Sequence, residues 1–299
     1  MADHLSNTDV HPMMIHALMK GDDPVTPVMH KVGLASLDGA PIETFHTDLV
    51  AGRPTVVLAL PFGLRHAAAQ GFYAGLSDRF NVVTWESRFV MNFDGQPDAQ
   101  TISADMHAGD LIAVIDHYDL GPADVIGYCS GAGITLLAAA KHPERFRRLM
   151  LVSGEYMLPP AQCRQTSFQR EVFVVLPTAA GSRADAAMLH EKITSGNVKP
   201  THEFHEFVSL PFSSPEHLYR FGLNYLAYRD LDMLDIAKSV GHDALLIATR
   251  HDAQVTIESA EIVAKHLPAS RDVVVLDGDH YQLCRGDPKI ITELVNFLT

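Results

Sequence analysis

Val125-Ile126-Gly127-Tyr128-Cys129-Ser130-Gly131-Ala132-Gly133 (VIGYCSGAG) is the stretch that decides how this chain is read. Ala123–Gly127 (ADVIG) reads as a buried strand, and Ser130–Lys141 reads as a helix that stops before Pro143. A strand that enters a helix with almost no loop between them must turn sharply. The residues two before and two after the apex must then be small, which is the form of a nucleophile elbow. With Cys129 at the apex those residues are Gly127 and Gly131; with Ser130 they would be Tyr128 and Ala132. Tyr128 is too bulky for that place, so the spacing selects Cys129. On this segment alone two plainer readings stay open. Cys129 could be an ordinary buried thiol. The turn could also bind phosphate, although the lysine of a P-loop and GxGxxG spacing are both missing.

Working outward, the same alternation continues on both sides. Lys31–Leu37 and Pro41–Thr47 are extended runs around Asp38-Gly39, a hairpin signal. Thr55–Leu60 (TVVLAL) is a continuous apolar run, as in a strand covered on both faces, and Pro61-Phe62-Gly63 ends it. A helix is expected over His66–Arg79, a strand over Asn81–Trp85 and an amphipathic helix over Thr101–Leu120. Arg148–Val152 (RLMLV) is the strand after the elbow helix. The pattern breaks after Glu155 and resumes with Ala244–Thr249 (ALLIAT), a helix at Ile257–Leu267, the strand Asp272–Leu276 (DVVVL) and a helix at Pro288–Thr299. Between the two blocks, only Glu171–Leu176 is ambiguous as strand or helix, and Pro159-Pro160, Pro177, Pro200, Pro211 and Pro215 punctuate the stretch. The β-α-β order implies a mainly parallel sheet with right-handed crossovers. The expected organisation is an N-terminal extension over 1–27 with a short helix at Met13–Met19, an α/β core over 28–155 and 237–299, and a mostly helical insertion over 156–236.

Composition narrows the function classes. In 299 residues, 47% are hydrophobic and 20% charged, as in ordinary globular proteins, so disordered and fibrous classes are excluded. The net charge of −13 argues against a nucleic-acid or anionic-membrane partner. No apolar run is long enough to span a membrane, and the first 30 residues carry no signal pattern. Cys129, Cys163 and Cys284 do not make a disulfide framework, so a reducing, cytoplasmic compartment is expected. The 17 histidines are scattered. Pairs such as His202 and His205 do not build a metal site, so no metal is expected.

A nucleophile at Cys129 needs a base and an orienting acid at the carboxyl ends of later strands. Asp252 follows ALLIAT and His280 follows DVVVL. Taken singly, Asp252 could be a loop cap and His280 a surface histidine. Together the three candidates stand at successive strand ends in the order nucleophile, acid, histidine.

With these residues in place, the chain resembles the α/β-hydrolase fold family over roughly residues 28–299. The matching segments are VIGYCSGAG, HPERFRRLMLVSG, LLIATRHDAQV, LDGDHYQL and the terminal PKIITELVNFL. The resemblance implies an eight-stranded, mostly parallel sheet flanked by helices, a helical cap inserted after the sixth strand, and a Cys129–His280–Asp252 triad. Cys129 would attack an acyl carbonyl, His280 would shuttle the proton and Asp252 would hold the imidazole. The elbow is also similar to that of polyhydroxyalkanoate synthases, which is Cys-centred, and dienelactone hydrolases likewise use cysteine. There are departures. Pro61-Phe62-Gly63-Leu64 stands where most members carry His-Gly, so the first oxyanion amide is assigned to Phe62 or Gly63 and the second to Ser130. Pro61 itself has no N–H to donate. Trp85-Glu86-Ser87-Arg88 replaces the family's Asp-x-Arg-Gly, which leaves the partner of Arg88 open, and Glu155 is an alternative acid.

The expected activity is cleavage of an ester or thioester through an acyl-cysteine, as a hydrolase or thioesterase. A thiol and a thioester are close in energy, so an acyltransferase or lactone-forming biosynthetic enzyme is the alternative. A catalytically silent binding protein on this fold is the alternative from another class. The substrate is a small acyl ester or thioester, free or bound to a carrier protein. No cofactor is implied, and a homo-oligomer is left open. Apolar residues of the insertion, among them Phe168, Val172, Phe173 and Phe221, suit an acyl or aromatic group, or simply pack the insertion onto the core.

Overall fold

Continuous apolar runs become the buried strands of one sheet. The computed structural model describes residues 26–91, 102–195 and 203–299. The expected helix at Met13–Met19 and residue His202 lie outside them. The strands are β1 His30–Ala35, β2 Pro41–His46, β3 Thr55–Ala59, β4 Asn81–Trp85, β5 Ala123–Tyr128, β6 Phe146–Val152, β7 Asp243–Thr249 and β8 Val274–Leu276. They form an eight-stranded sheet in the order β1-β2-β4-β3-β5-β6-β7-β8. β2 pairs antiparallel with β1 and β4, and every other pairing is parallel. The helices, in chain order, are α1 Gln70–Leu76, α2 Ala104–His117, α3 Ser130–Lys141, α4 Ser167–Gly181, α5 Arg183–Ser195, α6 His205–Val208, α7 Pro215–Arg229, α8 Met233–Ser239, α9 Ile257–His266, α10 Gln282–Arg285 and α11 Pro288–Leu298.

The two faces of the sheet build two cores. In β3, Val57 and Ala59 join the core under α2, α3, α8 and α9, while Val56 and Leu58 join the core under α1 and α11. All four are fully buried, as expected of a strand covered on both sides. Each valine or leucine so buried contributes about 1.5–3 kcal/mol. A charge at Val57 would forfeit that and add the desolvation of an unpaired ion. A third cluster, with Leu176, Ala179, Leu218 and Tyr225, lies between α4, α5 and α7.

Four expectations were adjusted by tertiary context. Glu171–Leu176 lies inside α4, which starts at a capping box: Thr166 Oγ1 accepts from the Gln169 amide and Gln169 Oε1 accepts from the Thr166 amide, both at 3.0 Å. Pro177 sits within α4 rather than ending it. β8 begins two residues later than expected, because it is a half-exposed edge strand with one neighbour. The boundary at 236/237 falls inside α8, whose Met233 and Ala237 pack with α3 in the core. Arg88 is buried and pairs with Asp110 at 2.9 Å and Asp38 at 2.8 Å, tying the segment after β4 to α2 and to the β1–β2 turn.

Candidate active site

β5, in the interior of the sheet, ends at Tyr128, and α3 begins at Ser130. Cys129 alone makes the turn, with φ 52° and ψ −123°. That left-handed backbone costs a non-glycine residue about 1–3 kcal/mol and persists only where neighbours enforce it. Here they do. The Cys129 N–H donates to the Val152 carbonyl at 3.1 Å, and the Cys129 carbonyl accepts from the amides of Ala132 at 3.0 Å and Glu155 at 3.1 Å. The flanking glycines are sterically required. A Cβ on Gly127 would lie 2.6 Å from the Ala132 Cα, and one on Gly131 would fall onto the Ala59 carbonyl. Cys129 is partly exposed at the N-terminus of α3, where peptide dipoles favour negative charge, whereas Cys163 and Cys284 are buried. Burial raises the Cys163 thiol pKa and pushes that of Cys284 up to about 12.

The structure brings Asp252 and His280 together. His280 Nδ1 and Asp252 Oδ2 are 2.7 Å apart, with both side chains buried. Asp252 Oδ1 accepts from the amides of Gln254 at 2.8 Å and Val255 at 2.9 Å, so the carboxylate cannot rotate. Burial opposes charge on His280. Asp252 and the Cys129 sulfur, by charge and by hydrogen bonding, outweigh it and push the imidazole pKa up to about 10. The Tyr128 hydroxyl donates to the His280 carbonyl at 2.9 Å. Tyr128 entered the sequence reading only as a bulky residue, and its role as a prop for the histidine loop depends on contacts 152 positions apart.

The segment after β3 crosses the elbow. The Phe62 N–H donates to Ser130 Oγ at 3.1 Å, while the Gly63 N–H is turned to the buried Ser87 hydroxyl at 3.2 Å. Of the two candidate amides, that of Phe62 is bonded to the residue that follows Cys129. The Phe62 ring packs against His107 and Tyr228, with centroids 4.6 and 5.6 Å away. His107 is held by Asn224, and burial lowers its pKa to about 4.

A cavity of about 560 Å³ opens over Cys129 and His280. Phe62, Met157, Val172, Phe212 and Tyr225 form much of its wall, and Glu155 and Gln169 interrupt it. Glu155 forms no hydrogen bond or ion pair with His280; it is bonded to Met157 and Gln169 instead. Gln254, which both caps Asp252 and donates to the Tyr281 hydroxyl at 2.8 Å, was not singled out from sequence. Among the described residues no group of three His, Cys, Asp or Glu side chains could hold a metal ion, and no helix is long and apolar enough to cross a membrane. The arrangement offers a sulfur at a helix N-terminus, an imidazole fixed by a carboxylate, two amides nearby and a mostly apolar chamber. It has the parts needed for attack on an acyl carbonyl.

Comparison with known proteins bears on the fold and the family. A protein of Caulobacter vibrioides named as a carbamate hydrolase, RutD, is 25% identical over 276 residues, covering 90% of this chain and 99% of its own. An L-allo-isoleucyltransferase of Pseudomonas savastanoi pv. glycinea is 24% identical over 255 residues, covering 83% of this chain and 87% of its own. The solved esterase EaEST from Exiguobacterium antarcticum superposes with a TM-score of 0.69 at 17% identity, covering 90% of this chain and 99% of that one. Residues 69–286 match the family described as alpha/beta hydrolase fold. With that match spanning more than half its length, the chain belongs to the α/β-hydrolase fold family.

Proposed function

We propose that the protein transfers an acyl group from an ester or thioester through an acyl-cysteine on Cys129. The observation that carries this reading is the apex position of Cys129, strained at φ 52° beside a His280 already paired with Asp252. Cys129 gives its thiol proton to His280. The thiolate attacks the acyl carbon, and the amides of Phe62 and Ser130 receive the developing oxyanion. The carbon–sulfur bond to Cys129 forms, the bond to the leaving group breaks, and His280 gives that group its proton. In the second half, an acceptor gives a proton to His280 and attacks the acyl carbon, and Cys129 leaves as thiolate. Water as acceptor makes the enzyme a hydrolase or thioesterase. An amine, alcohol or thiol makes it an acyltransferase, a reading favoured by the mostly apolar chamber and by the relative named as an isoleucyltransferase. In this scheme the helices between β6 and β7 act as a cap over the chamber and select the acceptor.

Intact-mass analysis with acyl thioesters and no added acceptor tests the proposal. The expected product carries the acyl group on Cys129 in place of the thiol hydrogen, a mass gain of the acyl group less one hydrogen, and is missing in Cys129→Ala. If no donor in a broad panel acylates the protein while some raise its melting temperature, the fold serves binding without chemistry.

A further inference from the structure

Glu155 follows β6, and its carboxylate is buried in the cavity wall with 6% of the residue exposed. Its amide bonds to the Cys129 carbonyl at 3.1 Å, so it stands beside the candidate nucleophile. Oε1 accepts from the Met157 amide at 2.8 Å and Oε2 from Nε2 of Gln169 at 2.7 Å. The Gln169 amide group is itself fixed, because its oxygen accepts from the Thr166 N–H in the α4 capping box. The carboxylate is thus held by two neutral donors, and among the described residues it forms no ion pair. Burial raises the Glu155 pKa, the bonds from Met157 and Gln169 oppose it, and the nearer charges are His280, which attracts, and Asp252, which repels and is itself bonded to His280. A carboxylate can accept about four hydrogen bonds, so acceptor capacity is left over.

A second group points to the same place. Tyr225 lines the cavity, is buried, and its hydroxyl has no hydrogen-bond partner. Glu155 and Tyr225 line the same cavity. The Tyr225 ring is fixed edge-on against Phe173, with centroids 5.9 Å apart. A buried carboxylate without a cation and a phenol oxygen without a donor are both costly in an apolar wall. One ligand group satisfies both: a cation with several N–H donors.

We infer that Glu155 and Tyr225 form a cation subsite in the acyl chamber, which takes the ammonium of an aminoacyl group whose remaining side chain is apolar. The inference rests on the acyl-transfer reading for its geometry, but its test separates the two. The probes are the N-acetylcysteamine thioesters of L-valine, 3-methylbutanoic acid and 2-hydroxy-3-methylbutanoic acid. They share one carbon skeleton and differ in carrying an ammonium, nothing or a neutral hydroxyl.

Binding is measured by calorimetry in Cys129→Ala, where no adduct can form, and acylation by intact mass in the protein with Cys129 intact. The expected result is that the valyl compound is preferred to both others by about tenfold or more in binding and in acylation rate. Glu155→Gln in each background should reduce that preference to near unity. The preference is a ratio, so any general effect of the substitution on Cys129 or His280 cancels. Should Glu155→Gln fail to fold, Tyr225→Phe serves as the second variant, with a partial loss of preference expected.

Equal or better handling of the 3-methylbutanoyl compound by the unsubstituted site overturns the subsite. So does a preference for the hydroxy compound, which would mark Glu155 as a neutral donor. Valyl preference in binding with no adduct on Cys129 keeps the subsite and removes acyl transfer. Adducts from all three at equal rates keep acyl transfer and remove the subsite. Neither binding nor adduct from any of the three overturns the subsite.

Discussion

In the proposed scheme, Asp252→Asn exchanges one oxygen for an NH2 group and has a consequence that follows from three hydrogen bonds. Oδ1 accepts from the amides of Gln254 and Val255 at 2.8 and 2.9 Å. Asparagine must keep its oxygen there, because an NH2 cannot accept from two N–H groups. Its NH2 then occupies the position 2.7 Å from His280 Nδ1. That nitrogen becomes an acceptor, the imidazole proton moves to Nε2, and the ring can no longer take a proton on the side of Cys129. The wrong tautomer costs a serine triad about 10⁴ in rate. A thiol gives up its proton more readily than a hydroxyl, so about 10³ is expected here, or about 4 kcal/mol of barrier. The loss of a charged hydrogen bond should also lower stability by about 1.5–3 kcal/mol. Single-turnover acylation followed by intact mass, with a denaturation curve on the same sample, reads both quantities. Acylation within tenfold of the unsubstituted rate would refute the assignment, and a larger loss in Glu155→Gln would move the acid role to Glu155.

Iodoacetamide should alkylate Cys129 well before Cys163 or Cys284, since burial shields the latter two and raises their pKa values; peptide mapping after brief labelling checks this, and equal labelling of all three contradicts it. His280 also sets a dependence of stability on pH. Its pKa in the folded state, raised to about 10 from an ordinary 6.5, gives stability that is full below 6.5 and is lost as pH rises through about 10. The term is on the order of 5 kcal/mol. Urea denaturation at several pH values between 6 and 10.5 should show this loss in the unsubstituted protein and much less of it in Asp252→Asn; parallel curves would show that the pair adds no alkaline sensitivity.

Sequence carried much of this because the deciding signals are local. Gly127 and Gly131 are demanded by a turn of a few residues, and the runs TVVLA and DALLIAT are apolar because both faces of their strands are covered. Asp252 and His280 were visible through their places after β7 and β8. What stayed hidden depends on chain segments far apart in sequence. The Phe62 and Gly63 amides bond to the Ser130 and Ser87 side chains, partners 68 and 24 positions away. EVFVVL carries the β-branched and aromatic residues of a strand, and α4 is helical there because of its capping box and its packing on α7. At that crossing a Cβ on Gly222 would lie 2.6 Å from the Leu176 carbonyl. Glu155 looked like a spare acid by position, and only its bonds to Gln169 and Met157 place it in the chamber wall.

The amide group of Gln169 couples two properties that a protein engineer would prefer to vary separately. Its oxygen closes the first turn of α4 and its nitrogen holds the Glu155 carboxylate. Reshaping the chamber by exchanging this residue would therefore loosen the start of a 15-residue helix as well. Among natural substitutions, Glu matches the reach and the acceptor but brings a second carboxylate to face Glu155, and shorter polar residues reach only one of the two partners. Libraries aimed at new acyl groups are better directed at Val172, Phe212 or Phe221, which line the same space. Position 169 would then change only in combination with 155.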